Sequence, residues 1–114
     1  MGLDTTHDAF HGPYSSFMRF RRGLVEHSLN LDIRDFEGYD GNIPYTQIQD
    51  AGLRRLVNQS DCDGEISPED CKLIADYLTS VIPYLPVGDL LQRAEQFREG
   101  CLLAYSKNEF IIFH

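Results

Sequence analysis

Apolar residues recur every three or four positions through most of the chain, which is the spacing of amphipathic helices. The segments with this spacing are separated by short runs that contain Gly, Pro, Asn and Asp, the residues that favour turns. Four helices are therefore predicted, over residues 13–29, about 44–58, 68–82 and from 89 onward.

The third helix has the clearest start signal. Ser67 is a good N-cap, Pro68 suits the first helical position, and Asp70 completes an acidic variant of the capping box. Asp89 is expected to cap the fourth helix, whose apolar face is predicted to reach Tyr105.

The last apolar segment, residues 110–113, has β-propensity. A lone strand cannot satisfy its own backbone, so we expect it to pair with part of residues 1–10 or 31–37, or to pack as an extended tail. The predicted fold is mainly α: a single domain over residues 1–114, arranged as an irregular bundle of about four helices with a short C-terminal extended or β segment.

Composition agrees with an ordinary globular domain, since 42% of the residues are hydrophobic and 25% are charged. No apolar run approaches the roughly 18 residues of a membrane helix, and the N-terminus lacks the basic start and apolar stretch of a secretory signal. The three cysteines, Cys62, Cys71 and Cys101, include no close pair and suit a reducing compartment. We therefore expect a cytoplasmic protein with no membrane partner.

The formal net charge is −8, from ten Lys and Arg against eighteen Asp and Glu. Nucleic acids are bound through clustered Lys and Arg. The densest basic cluster, Arg19, Arg21 and Arg22, is spread around its helix and is interpreted as a solvated face. Nucleic-acid partners are therefore not expected. The partners that stay open are another protein or a second copy of the chain, the latter through the apolar tail at residues 110–113.

One segment has the spacing of metal ligands. Residues 59–70 lie between two predicted helices and resemble an EF-hand loop with Gly64 at the turn. The loop would supply oxygen ligands to Ca²⁺ or another divalent metal from Asp61, Asp63, Glu65, Ser67 and Asp70.

Two positions depart from the EF-hand pattern. Gln59 replaces the usual Asp at the first position, and Asp70 replaces the longer Glu at the twelfth. Any calcium affinity should therefore be weak, on the order of 10⁻⁴–10⁻³ M. The alternative interpretation is a turn at residues 63–64 followed by the Ser67 helix cap, with no metal.

An alternative metal site is predicted near the N-terminus. His7 and His11 are four residues apart and would share one face if the segment were helical, although the Gly-Pro pair that follows disfavours a helix. With Asp8, alone or with the aspartates of the loop, they would suit zinc or another transition metal. In the alternative, the two histidines cap or pack against the first helix.

Three stretches carry a resemblance to a known group. The sequence His-Asp-Ala-Phe-His-Gly-Pro-Tyr-Ser-Ser-Phe at residues 7–17, the sequence Ser-Asp-Cys-Asp-Gly-Glu-Ile at residues 60–66 and the closing Phe-His resemble small uncharacterised bacterial and phage proteins. The resemblance implies a bacterial or prophage cytoplasmic setting. It implies no particular activity, substrate or cofactor.

Three functions from different classes follow, in this order. The first is a non-enzymatic helical module that acts through protein contacts and is stabilised by a metal at Asp61 and Asp63. The second is a metal-dependent hydrolase in which His7, Asp8 and His11 join those aspartates on one ion with an open water position. The third, an acidic mimic of nucleic acid, is disfavoured because arginines alternate with the acids.

Overall fold

The computed structural model describes residues 2–60 and 62–114. Helices dominate these residues, which confirms the mainly α fold class with a short C-terminal strand. The four α-helices of the described residues are α1 (Tyr14–Leu29), α2 (Ala51–Val57), α3 (Pro68–Val81) and α4 (Asp89–Lys107). The described residues also contain four short strands: β1 (Gly2–Asp4), β2 (His11–Pro13), β3 (Glu65–Ile66) and β4 (Ile111–Ile112).

Two helix starts test the capping predictions. α3 begins at Pro68, and the Ser67 hydroxyl accepts a hydrogen bond from the Asp70 N–H at 3.2 Å, as the sequence predicts. In α4 the predicted cap is wrong by one position, because Asp89 is the first helical residue and Gly88 precedes it. The carboxylate still lies in the first turn, where it complements the positive end of the helix dipole.

The prediction of one helix over residues 44–58 is wrong in its first half. Tyr45–Gln47 form a 3-10 turn, and α2 begins only after Asp50. The Asp50 carboxylate accepts hydrogen bonds from the N–H groups of Gly52 at 2.9 Å and Leu53 at 3.1 Å. This cap sets the helix start because it satisfies donors that have no partner within the first turn.

The core contains a cluster of phenylalanine rings from both ends of the chain and from α1 and α4. The ring centroid of Phe17 lies 5.1 Å from Phe10, 6.1 Å from Phe97 and 5.5 Å from Phe113. Such pairs add specific ring–ring contacts to the burial of a large apolar area. The N-terminal segment and the C-terminal tail are therefore part of the core.

Two glycines allow close packing between elements. A Cβ on Gly52 of α2 would overlap the carbonyl oxygen of Leu73 in α3 and lie 2.8 Å from its carbonyl carbon. A Cβ on Gly100 of α4 would lie 2.5 Å from the Cβ of Ala9. Glycine is required at both positions because any side chain would push the neighbouring element away.

The predicted exposure of two side chains is reversed. Tyr105 is exposed rather than part of the buried face of α4, and Arg21 is only 2% exposed rather than solvated. Nη1 of Arg21 donates to the carbonyls of Val57 and Gln59 at the end of α2. The last carbonyls of a helix have no partner within the helix, so the buried guanidinium helps to cap the end of α2 from α1.

The C-terminal tail lies between two other segments. β4 pairs antiparallel with β3, an interaction that the sequence did not predict. On the other side Phe113 bridges Thr5, and Asp4 and His114 exchange two backbone hydrogen bonds of 2.9 Å. The predicted pairing with residues 1–10 is therefore confirmed, and the tail joins the N-terminus to the loop at residues 59–70.

Candidate functional site

The loop that resembles an EF-hand is organised around Arg55, a residue of α2. The Arg55 Nε donates to Oδ2 of Asp70, Nη1 to Oε1 of Gln59 and Nη2 to the carbonyl oxygen of Glu65, each at 2.9 Å. In the EF-hand alignment these oxygens belong to the twelfth, first and seventh positions. One guanidinium therefore engages three of the oxygens that the alignment assigns to a metal ion.

Two further side-chain hydrogen bonds in the loop are made to its backbone. Gln59 Nε2 donates to the carbonyl oxygen of Asp63 at 3.0 Å, and the Ser67 hydroxyl caps α3. Gly64 has φ of +93°, the turn conformation that the sequence predicts for it. Asp61 lies outside the described residues.

The N-terminal histidines do not lie on an α-helix: His7 is in a distorted 3-10 turn and His11 begins β2. His7 and Asp8 both have left-handed backbone conformations, with φ of 61° and 56°, in a turn between β1 and β2. Residues other than glycine adopt this region rarely, and two in succession require support from their surroundings. Gln96 of α4 provides part of that support, since its Nε2 donates to the carbonyl oxygen of Asp8 at 2.9 Å.

His11 lies between two carboxylates. Its Nδ1 is 2.7 Å from Oδ1 of Asp4, and its Nε2 is 2.5 Å from Oδ1 of Asp8. The hydrogen bond to Asp4, and then the one to Asp8, raise the pKa of His11 above its ordinary value. The two carboxylates meet opposite ring nitrogens, an arrangement that stabilises the protonated imidazolium with two donors.

His7 has different partners. Its Nε2 lies 2.9 Å from Oε1 of Glu109, and its Nδ1 lies 2.9 Å from the hydroxyl of Thr6. Within residues 2–60 and 62–114, no group of three or more His, Cys, Asp or Glu side chains is arranged to hold a metal ion. The shared-ion hydrolase also requires Asp61, so it stays a prediction.

Sequence reasoning missed two arginines that organise the structure. Arg55 is four residues before Gln59, a spacing at which helical side chains meet, and this was the available signal. Arg21 is four residues after Phe17, on the same helical face. Its guanidinium carbon lies 4.4 Å from the Phe17 ring centroid, beside a cleft of about 530 Å³.

The last turn-and-a-half of α4 and the tail carry the exposed apolar residues Leu103, Phe110 and Ile112. They are here called the C-terminal strip. These side chains are 38–45% exposed, while the alternate residues Ile111 and Phe113 are buried. Residues of the N-terminal turn lie next to members of the strip. The Ile112 N–H donates to the Thr6 hydroxyl at 2.9 Å, and Leu103 shares a depression of about 440 Å³ with His7.

Acidic side chains surround the C-terminal strip. Glu109 precedes Phe110 in the chain, and Glu65 is the cross-strand partner of Ile112. Asp8 and Glu99 line the same depression as Leu103. These carboxylates give the strip acidic neighbours, although Glu109 also lies 2.9 Å from His7 and Glu99 lies 3.3 Å from Arg98.

No protein-family model, curated protein or solved structure matches this chain. Among the described residues, no helix has both the length and the apolar character needed to cross a lipid bilayer.

Proposed function

We propose that this protein is a non-enzymatic binding module that holds a basic partner protein on its C-terminal strip. The observation that carries the proposal is the exposure of Phe110 and Ile112 beside Glu109 and Glu65. Aromatic and aliphatic anchors supply most of the energy of a protein contact, and a charged border sets the choice of partner.

The charge favours a basic partner over a second copy of the chain. A symmetric dimer through the strip would place Glu109 and Glu65 near their own copies, and each chain already has a formal net charge of −8. Like charges that face each other across an interface oppose association. A segment with lysine or arginine around an apolar stripe would instead pair with these carboxylates.

The size of the strip indicates a short partner segment. Three partly exposed side chains fit the apolar face of one amphipathic helix, whose anchors recur at positions i, i+3, i+4 and i+7. A stable interface buries at least about 1,000 Å² in total, so a contact centred on three side chains should be weak and reversible, with Kd in the micromolar range.

A designed peptide tests the proposal directly. The probe is a helical peptide with leucine on one face and lysine on the other, and its binding is measured by isothermal titration calorimetry. Phe110→Ser should weaken binding about tenfold, because it removes the central aromatic anchor. The matched control is Val87→Ser, which changes an almost fully exposed apolar residue outside the strip.

The binding pattern decides the outcome. A peptide with glutamate in place of lysine should not bind the wild-type protein, and added salt should weaken the lysine peptide. Equal affinity of the wild type and Phe110→Ser for the lysine peptide would reject the strip as the site. A concentration-dependent dimer that Phe110→Ser dissociates, measured by light scattering, would assign the strip to a second copy and reject the basic partner.

A further inference from the structure

We propose that the guanidinium of Arg55 takes the place of a metal ion in the loop at residues 59–70. The chain itself then supplies the positive charge that the loop binds. The inference is independent of the proposed partner. It starts from the three hydrogen bonds of 2.9 Å that join Arg55 to Gln59, Glu65 and Asp70.

The three oxygens come from separate parts of the loop. Gln59 follows α2, Glu65 lies in β3, and Asp70 lies in the first turn of α3. A bound ion stabilises such a loop by drawing distant oxygens toward one point. The guanidinium of Arg55 does the same with three different nitrogens, because its donors have a fixed planar geometry.

The departures from the EF-hand pattern fit this cation. The amide of Gln59 at the first position and the short carboxylate of Asp70 at the twelfth reduce the negative charge and the reach of the ligands. A calcium ion binds oxygens at about 2.3–2.6 Å, and with few carboxylates its affinity is only on the order of 10⁻⁴–10⁻³ M, so calcium well above that concentration is needed to occupy the loop once the arginine is removed. A guanidinium carries one charge and holds its oxygens at about 2.9 Å, so fewer acids and shorter side chains suffice.

Arg55 reaches the loop from α2, and its ion pair with Asp70 is partly buried. Arg55 and Asp70 are only 24% and 35% exposed, so water screens their interaction less than it screens a fully exposed pair. Gln59 also donates to the carbonyl oxygen of Asp63 at 3.0 Å, which connects the arginine to the turn. By fixing the Glu65 carbonyl, Arg55 supports the strand β3 that pairs with β4.

Thermal unfolding of Arg55→Met, with calcium and with a chelator, tests the proposal. The control is Arg54→Met, which makes the same charge change one residue earlier and loses a single hydrogen bond to Ile48. In chelator, Arg55→Met should lower Tm by about 5–10 °C, because it removes three hydrogen bonds, one of them to a carboxylate. Calcium should raise the Tm of Arg55→Met and leave the wild type and Arg54→Met unchanged, because only Arg55→Met frees the loop oxygens for an ion.

A second substitution locates the calcium response. Adding Asp70→Asn to Arg55→Met should abolish the response, whereas general binding of calcium to an acidic surface would persist. Three results would overturn the proposal: no calcium response in Arg55→Met, the same response in the wild type, or a response that survives Asp70→Asn.

If Arg55→Met does not fold, Arg55→Lys takes its place. An ammonium keeps the charge but cannot reach three separated oxygens with one nitrogen. Its Tm should fall below that of the wild type and stay independent of calcium. A Tm equal to that of the wild type, or a Tm that rises with calcium, would contradict the role of the guanidinium.

Discussion

The loop at residues 59–70 and the N-terminal turn at residues 4–11 are built from similar residue types but differ in their exposure and in their cation. Arg55 and Asp70 are 24% and 35% exposed, whereas Asp4 and Asp8 are 64% and 85% exposed. The same kind of ion pair contributes more where less water screens it. The loop should therefore contribute more to stability than the turn.

The two regions also differ in how their cation responds to pH. The cation of the loop is a guanidinium, whose charge is fixed in proteins. The cation of the turn is the imidazole of His11, whose charge depends on pH and whose pKa is raised by its bonds to Asp4 and then Asp8. The comparison teaches that acidic side chains can be held by a cation of fixed charge, as in the loop, or by a cation whose charge depends on pH, as in the turn.

The largest effect is expected at the contact between α2 and α3, the two helices that flank the loop. Gly52→Ala should destabilise the protein by about 2–3 kcal/mol, because the added methyl overlaps the Leu73 carbonyl and forces α2 away from α3. Urea unfolding measures this change. Gly23→Ala is the control, since its nearest contacts, at 3.1 Å, are the flexible ends of the Leu90 side chain. Equal losses at both glycines would mean that the α2–α3 contact is not specially tight.

A smaller loss is expected at the contact beneath the N-terminal turn. Gly100→Ala should cost about 1–2 kcal/mol, because its methyl would meet the Cβ of Ala9 at 2.5 Å, a smaller overlap than the one at Gly52. Hydrogen exchange should quicken in residues 2–13 more than in α2 and α3. Uniform quickening across all helices would contradict a local effect.

The smallest effect concerns pH and His11. Its folded-state pKa is raised, so the stabilisation is complete below the unfolded value of about 6.5 and is lost as pH rises through the folded-state pKa. His11→Gln should therefore lower Tm more at pH 5.5 than at pH 8.5. In an NMR titration Asp4→Asn should lower the pKa of His11 more than Asp8→Asn, since the bond to Asp4 is the larger cause. A pKa unchanged by either substitution would refute the assignment.

Sequence signals succeeded where the deciding contact is local. The hydroxyl of Ser67 and the ring of Pro68 act within one turn of helix, so their pattern is visible in the chain itself. The start of α2 was missed because Asp50, the residue that caps it, lies inside a longer apolar periodicity that continues back to Tyr45. A local signal was present there and the periodicity concealed it.

The candidate site was harder to predict because its key partners are distant or unexpected. The ligand positions of the loop could be named from spacing, but spacing does not reveal that Arg55 occupies them. The pairing of β4 with β3 joins residues more than forty positions apart, which only the packed helices determine. Arg21 shows the same limit, since its burial depends on the carbonyls that end α2.

The position of β4 has a consequence for the order in which the molecule opens. The pairing of β4 with β3 joins residues more than forty positions apart and the Phe113–Thr5 bridge joins residues more than a hundred apart, whereas α3 and α4 are neighbours in sequence. Contacts between residues so far apart in sequence are expected to form late in folding, and the tail is expected to open before α3 and α4 separate. Brief release of the tail would expose Phe113 and the Ile66 side chain together, and this open form is where proteolysis of the native protein should begin.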